Sequence, residues 1–165
     1  MDSQHVPVEG GCLCGAVRYR SEKSPLQGAY CHCTMCQRNY GGLFMAALQF
    51  TGADFRFTKG LPKYHRSSEF TRRGFCAECG SPLVFVYNSN PHVWVLVGSL
   101  DHPEGWPLTK GASWGQTVHL HVDNKIAWSA IDDGLPQLTG ETTPFRDEAM
   151  VRSAGRDQNA ADGTG

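Results

Sequence analysis

Seven cysteines fall into three tight groups: Cys12-x-Cys14, Cys31-His32-Cys33-x-x-Cys36 and Cys76-x-x-Cys79. Cysteines used as small buried hydrophobes carry no particular spacing. An odd number cannot all pair as disulfides within one chain, and a reducing cytoplasm disfavours structural disulfides altogether. Metal binding is the reading that fits the grouping. On a strand, residues i and i+2 face one side, so Cys12 and Cys14 present both sulfurs together. Cys76-Ala77-Glu78-Cys79 brings two sulfurs together across a tight knuckle. A glycine, Gly15 or Gly80, follows each pair directly, as suits a chain turning sharply beneath a metal. Four thiolates form a closed tetrahedral set suited to structural Zn²⁺. With 61 residues between the pairs, such a site staples the N-terminal strand to the middle of the chain and offsets a small core.

Cys31, Cys33 and Cys36 remain, and a zinc with three protein ligands has an open coordination position. His32 would close the set as Cys₃His, yet on an extended segment it points away from its two cysteine neighbours. A further alternative leaves these cysteines spare beside one four-thiolate site. In the open arrangement Zn²⁺ and three thiolates carry one net negative charge, against two positive charges with three neutral imidazoles. That makes a weaker Lewis acid, less able to ionise water. Soft sulfur donors suit it better than oxygen. The natural fourth ligand is then a substrate thiol held as thiolate. Next to an electrophilic carbonyl, this is a centre for forming or breaking a C–S bond.

Short strands must position these groups. Ala16–Arg20 and Asp54–Thr58 alternate apolar and polar residues, Leu43–Phe50 is a mostly apolar run, and Val118–Val122 is a further candidate. Pro82–Tyr87 and Val93–Leu100 flank Asn88-Ser89-Asn90-Pro91, a strong turn signal, and read as an antiparallel hairpin. With no long helical crossovers, the sheet is expected to be largely antiparallel. Helix is scarce: one short turn over Thr34–Asn39, and one helix capped by Thr143 with Pro144 at its first position, ending near Gly155. The expected organisation is a zinc-binding β domain over residues 1–145, followed by a short helix and polar tail over 146–165.

Other residues have plainer readings. His119 and His121 are spaced to share a strand face and approach a metal, but the cysteines already fill the ligand count, so packing or pocket lining is expected. His65 and His102 sit among turn residues and should be exposed. Arg72-Arg73, with Lys63, reads as a solvated basic face or as an attraction for carboxylates. Trp94, Trp106, Trp114 and Trp128 suit core or rim packing, and Trp106 and Trp114, in a Gly/Pro-rich loop, are the better candidates to border a pocket.

Composition sets the outer bounds. Leu, Ile, Val and Phe make up 33 of 165 residues, low for a fold held by its apolar core alone. Gly and Pro make up 28, which favours turns over long helices. A net charge of −1 argues against nucleic acid as a partner, since such a binder needs a basic surplus. No apolar run approaches the ~20 residues of a membrane span. Met1-Asp2-Ser3-Gln4-His5 has neither the basic start nor the apolar stretch of a signal peptide. A cytoplasmic protein with no membrane association is expected.

Gly10-Gly11-Cys12-Leu13-Cys14-Gly15-Ala16-Val17-Arg18-Tyr19, Cys31-His32-Cys33-Thr34-Met35-Cys36-Gln37-Arg38 and Gly74-Phe75-Cys76-Ala77-Glu78-Cys79-Gly80-Ser81-Pro82-Leu83 together resemble the glutathione-dependent formaldehyde-activating enzyme family, which includes the centromere protein V relatives. The resemblance continues through Asp101-His102-Pro103-Glu104-Gly105, His119, Lys125, Trp128 and Asp132-Asp133-Gly134-Leu135-Pro136. It implies a mainly β fold of zinc-stapled antiparallel sheets with few short helices. It implies two zinc ions, a structural one on Cys12, Cys14, Cys76 and Cys79 and a second, open one on Cys31, Cys33 and Cys36. It further implies a carbon–sulfur lyase that adds glutathione, or another thiol, to formaldehyde, giving S-hydroxymethylglutathione, or cleaves that adduct. Gln37 stands where many relatives carry arginine, with Arg38 one residue on. Two other readings of the same residues are a zinc-stabilised binding module and a glutathione carrier without catalysis.

Overall fold

The computed structural model describes residues 7–142. The strands are β1 (Val8–Gly11), β2 (Arg18–Ser21), β3 (Gln27–Cys31), β4 (Met45–Thr51), β5 (Phe55–Lys59), β6 (Lys63–Arg66), β7 (Thr71–Phe75), β8 (Pro82–Tyr87), β9 (His92–Leu96), β10 (Gln116–Leu120) and β11 (Gln137–Leu138). One α-helix, α1 (Thr34–Tyr40), lies between β3 and β4. The fold is mainly β, as expected. Strands β1-β2-β5 form a small sheet, and β11-β10-β3-β4-β9-β8-β7-β6 form a large one. Pairing is antiparallel except along β10, which runs parallel to both β3 and β11. The helix expected from Thr143 and the tail beyond it lie outside the described residues. Among the described residues no helix is long and apolar enough to cross a membrane.

The central strands of the large sheet, β3, β4, β8 and β9, are packed on both faces, and strand alternation assigns their side chains to two cores. Leu48, Phe50, Val84 and Val95 pack with Val8 and Tyr19 of the small sheet. Ala47, Phe85, Trp94 and Leu96 point the other way and pack around Cys31, Cys33 and Cys36. The second cysteine group therefore belongs to a core. Strand β4, hydrogen-bonded on both edges, reads as a mostly apolar run for this reason.

The hairpin β8–β9 forms where Asn88–Pro91 predicts it, with the Asn90 side-chain oxygen accepting from the His92 amide at 2.8 Å. Its second strand stops at Leu96 instead of Leu100, because a short 3₁₀ turn over Val97–Ser99 takes over and the Ser99 hydroxyl donates to the Leu96 carbonyl. Likewise the strand expected over Val118–Val122 ends at Leu120, where His121 takes a left-handed φ of 55°. The hairpin β6–β7 escapes sequence reading because β6 is an exposed edge of lysine, tyrosine, histidine and arginine, a composition that protects edges from mispairing and hides them from hydrophobic pattern searches.

Leu48 is fully buried on the central strand. Leu48→Ala should cost about 2–5 kcal/mol through lost burial and the cavity left behind. Denaturant unfolding of the metal-loaded protein measures this, with Leu13→Ala, at the 90% exposed Leu13, as the near-silent control.

Candidate metal centres

The first cluster is built by two loops that fold alike. Cys12 and Cys14 lie between β1 and β2, and Cys76 and Cys79 lie between β7 and β8. In each loop the glycine after the last cysteine has φ of 74°, and its amide donates back to the first cysteine's carbonyl, Gly15 to Cys12 at 3.0 Å and Gly80 to Cys76 at 2.9 Å. Only glycine adopts that backbone without strain, which explains its place in both motifs. The four sulfurs lie within 4.8 Å of one another, Cys12 and Cys14 being 3.5 Å apart. The Val17 amide points at the Cys12 sulfur at 3.2 Å. Hydrogen bonds from the Ser81 hydroxyl and amide lower the Cys79 thiol to about 6. A cluster of this kind can hold a metal ion.

The second cluster uses the junction of β3 and α1. Cys31 ends the strand, Cys33 caps the helix, and Cys36 sits in its first turn, its amide donating to the Cys33 sulfur at 3.4 Å. All three sulfurs are buried and lie within 4.8 Å of one another. Hydrogen bonds from the Cys31 and Cys36 thiols pull Cys33 down to about 2 despite its burial, and Cys31 is correspondingly held well above its usual range. A divalent cation binding there must displace the thiol protons that remain.

His32 is turned away from the sulfurs, as its extended backbone predicts. Its ring Nε2 lies 2.8 Å from His119 Nδ1, and His119 Nε2 lies 2.8 Å from Asp133 Oδ2. A carboxylate only accepts, so the chain assigns the protons: His119 donates from Nε2 to Asp133, and His32 donates from Nε2 to His119. His32 Nδ1 is left as a buried acceptor without a hydrogen-bond partner. Burial, and then the charges of His119 and Lys125, lower His32 to about 4. His119 therefore packs, as expected, and also orients. His121 does not share its face, because the left-handed residue breaks the strand alternation. It lines a small cavity beside Cys31 and Cys36 instead, outside the three-sulfur cluster. Gln37, in the position noted above, donates to the carbonyls of His32 and Asn124 and ties the helix to the chain after β10.

That cavity, about 20 Å³, is further lined by Met45, Arg73, Phe85 and Trp94. Arg73 corrects the expectation of a solvated basic face. On β7, Arg72 faces outward over the Tyr64 ring, whereas Arg73 faces inward and is 4% exposed. Its guanidinium donates to Tyr40 Oη at 2.7 Å, to Ser67 Oγ at 3.0 Å and toward Cys36 Sγ at 3.7 Å. With β7 unrecognised as a strand, nothing in the sequence separated the two arginines. Lys63 and His65 are exposed on β6, and His102 is exposed beside Glu104. Trp106 and Trp114 pack edge to face on each other and against the first core, Trp128 is exposed, and Trp94 is the tryptophan beside the cysteines.

A family model described as "Glutathione-dependent formaldehyde-activating enzyme" matches residues 7–116, a span holding all seven cysteines and Arg73. A Schizosaccharomyces pombe protein named an uncharacterized lyase is 32% identical over 95 residues, covering 54% of this chain and 69% of its own. A Halomonas elongata protein provisionally named a glutathione-dependent formaldehyde-activating enzyme is 29% identical over 136 residues, covering 76% and 81%. A crystal structure of a Rhodobacter sphaeroides protein is similar over 56% of this chain and 87% of its own, at 26% identity and a TM-score of 0.48.

The histidine chain makes its own prediction. His119→Leu leaves the buried His32 Nε2 donor without an acceptor and should cost about 1–3 kcal/mol beyond lost packing. Replacing His32 by leucine as well should recover part of that loss. A double-mutant cycle by denaturant unfolding reads the coupling.

Proposed function

The chain belongs to the glutathione-dependent formaldehyde-activating enzyme family, and from that membership we propose that it is a zinc-dependent carbon–sulfur lyase joining glutathione to formaldehyde or cleaving the adduct. In the joining direction a bond forms between the thiol sulfur and the aldehyde carbon. The C=O π pair moves to oxygen, and the proton lost by the thiol ends there, giving S-hydroxymethylglutathione. The family's name and the lyase naming of its relatives support an enzyme of this kind. The single observation that carries the site assignment is a buried cluster of three sulfurs containing no histidine or carboxylate.

We assign the zinc ligands as Cys12, Cys14, Cys76 and Cys79 for a closed structural site, and Cys31, Cys33 and Cys36 for the reactive one. The donor chemistry fits, since soft thiolates at this spacing suit zinc. Bound there, zinc would hold a substrate thiol as thiolate at neutral pH. The chain's own part is to keep the sulfurs dry, to fix Cys33 at the helix cap and to hold His32 out of the ligand set through His119 and Asp133. One observation favours a different reading, a zinc-stabilised module with two structural sites: the cavity beside Cys31 and Cys36 is about 20 Å³, room for one water, so a thiol enters only if the lining moves.

Fresh protein should contain two zinc ions per chain, the three-cysteine site emptying first under chelation. Cys76→Ser should give insoluble or loosely folded protein, because a structural zinc contributes on the order of 10 kcal/mol and a domain has only about 5–15 kcal/mol in total. Cys33→Ser should stay folded and lose glutathione binding. In the wild type that binding should tighten as pH rises from about 6 to 9, since below the thiol's pKa the bond to metal costs a deprotonation. Calorimetry reads both effects. Equal binding in wild type and Cys33→Ser, or none in either, moves the assignment to the structural module.

A further inference from the structure

Arg73 is a buried cation whose hydrogen-bond partners are neutral or sulfur. Its Nη1 and Nε are taken by the hydroxyls of Tyr40 and Ser67. Its guanidinium carbon lies 5.2 Å from the Tyr40 ring centre and 5.5 Å from that of Phe85. None of the ion pairs among the described residues reaches it. A buried charge without a counter-charge costs several kcal/mol. The anion within reach is the cysteine cluster, through Cys36 Sγ at 3.7 Å.

The charges match. Three thiolates and one divalent cation leave one net negative charge, and Arg73 supplies one positive charge beside it. A fourth, anionic sulfur would bring the metal and its ligands to two negative charges in a dry site, and the guanidinium halves that excess. The first cluster needs no such partner: Cys14 is exposed, so water carries part of its charge.

We infer that Arg73 is the counter-ion of the three-cysteine centre and positions it to accept an anionic fourth ligand. The assignment of charge rests only on the cluster holding a divalent metal; the consequence for the fourth ligand rests on the thiol-binding reading above. Arg73 is a positioning residue, since it reaches the reaction through Cys36. Arg73 also lines an outer cleft of about 350 Å³ with Asn39, His65 and Pro82.

The test compares Arg73→Met, which keeps an apolar stem between the two rings, with Arg73→Lys, which keeps the charge and loses the fork. Each is loaded with zinc and titrated with a chelator, and zinc per chain is counted by native mass spectrometry. Arg73→Met should release the second zinc with an affinity loss of about 10–100-fold, as removal of a metal-supporting partner usually gives. The first zinc should be held as in wild type. Arg73→Lys should lie closer to wild type than to the methionine variant, a rescue that a purely packing role does not produce. Release of the second zinc from Arg73→Met at wild-type chelator concentrations overturns the inference, as does equal loss in both variants. Glutathione calorimetry on the zinc-saturated proteins separates the two readings. Weaker binding in Arg73→Met supports both. Wild type that binds no glutathione while Arg73→Met still sheds its second zinc overturns the thiol reading and upholds the counter-ion.

Discussion

Sulfur that ionises out of contact with water must find its compensating charge inside the protein, and much of this architecture answers that requirement. Three cysteines are placed in the second core, 7% exposed or less, with Phe85, Trp94 and Leu96 around them. A thiolate there is tolerable only with a cation or with donors aimed at it. The Cys36 amide supplies one donor at the helix cap, and Arg73 supplies a full charge. The two clusters thus meet one chemical problem differently. In the first, Cys12 and Cys76 are buried but Cys14 is exposed, so the Val17 amide and solvent share the charge. The second lies inside and depends on one guanidinium.

Orientation is the second demand. His32 sits between two cysteines and is chemically the obvious fourth ligand. It is kept from that role by a chain of hydrogen bonds that starts at Asp133 and passes through His119. Both partners come from the chain beyond residue 116, where β10 lies parallel to β3 and places His119 opposite Tyr30. The parallel pairing therefore has a direct consequence for the site. It brings an imidazole onto the side of β3 away from the sulfurs, where the Tyr30 ring stacks on it at 4.8 Å. The His32 amide is bonded to the Leu120 carbonyl at 2.9 Å, so backbone and side chain of His32 are fixed from the same strand.

The cysteine clusters were legible in the sequence because metal-ligand geometry is local. Two sulfurs two or three residues apart, followed by a left-handed glycine, specify a knuckle whatever the rest of the chain does. The hairpin β8–β9 was legible from its turn tetrapeptide, and helix α1 as one short turn after the second cysteine cluster. Strands β3, β6 and β7 were not. Gln27–Cys31 carries small residues because it is paired on both edges and packed on both sides, and Lys63–Arg66 is polar because it is an edge. Missing β7 had the largest effect, since alternation along that strand is what sends Arg72 to solvent and Arg73 to the cysteines. His121 was misplaced for a similar reason: a single left-handed residue undid the alternation that put it beside His119.

The enclosure of the second centre ties these features together. Its sulfurs are buried, and the cavity beside Cys31 and Cys36 is about 20 Å³, room for one water. Two walls of that cavity are of different kinds. Ala29, Phe85 and Trp94 belong to strands paired on both edges, whose displacement would break ladder hydrogen bonds on either side. Arg73 also belongs to a paired strand, but its long side chain is held at its tip by Ser67, Tyr40 and Cys36 rather than by the ladder. Moving that tip breaks the hydrogen bonds to Tyr40 and Ser67 and the contact with Cys36 Sγ, and leaves the sheet intact. The charge balance of the buried thiolates and the lining of the cavity beside them therefore depend on the same residue.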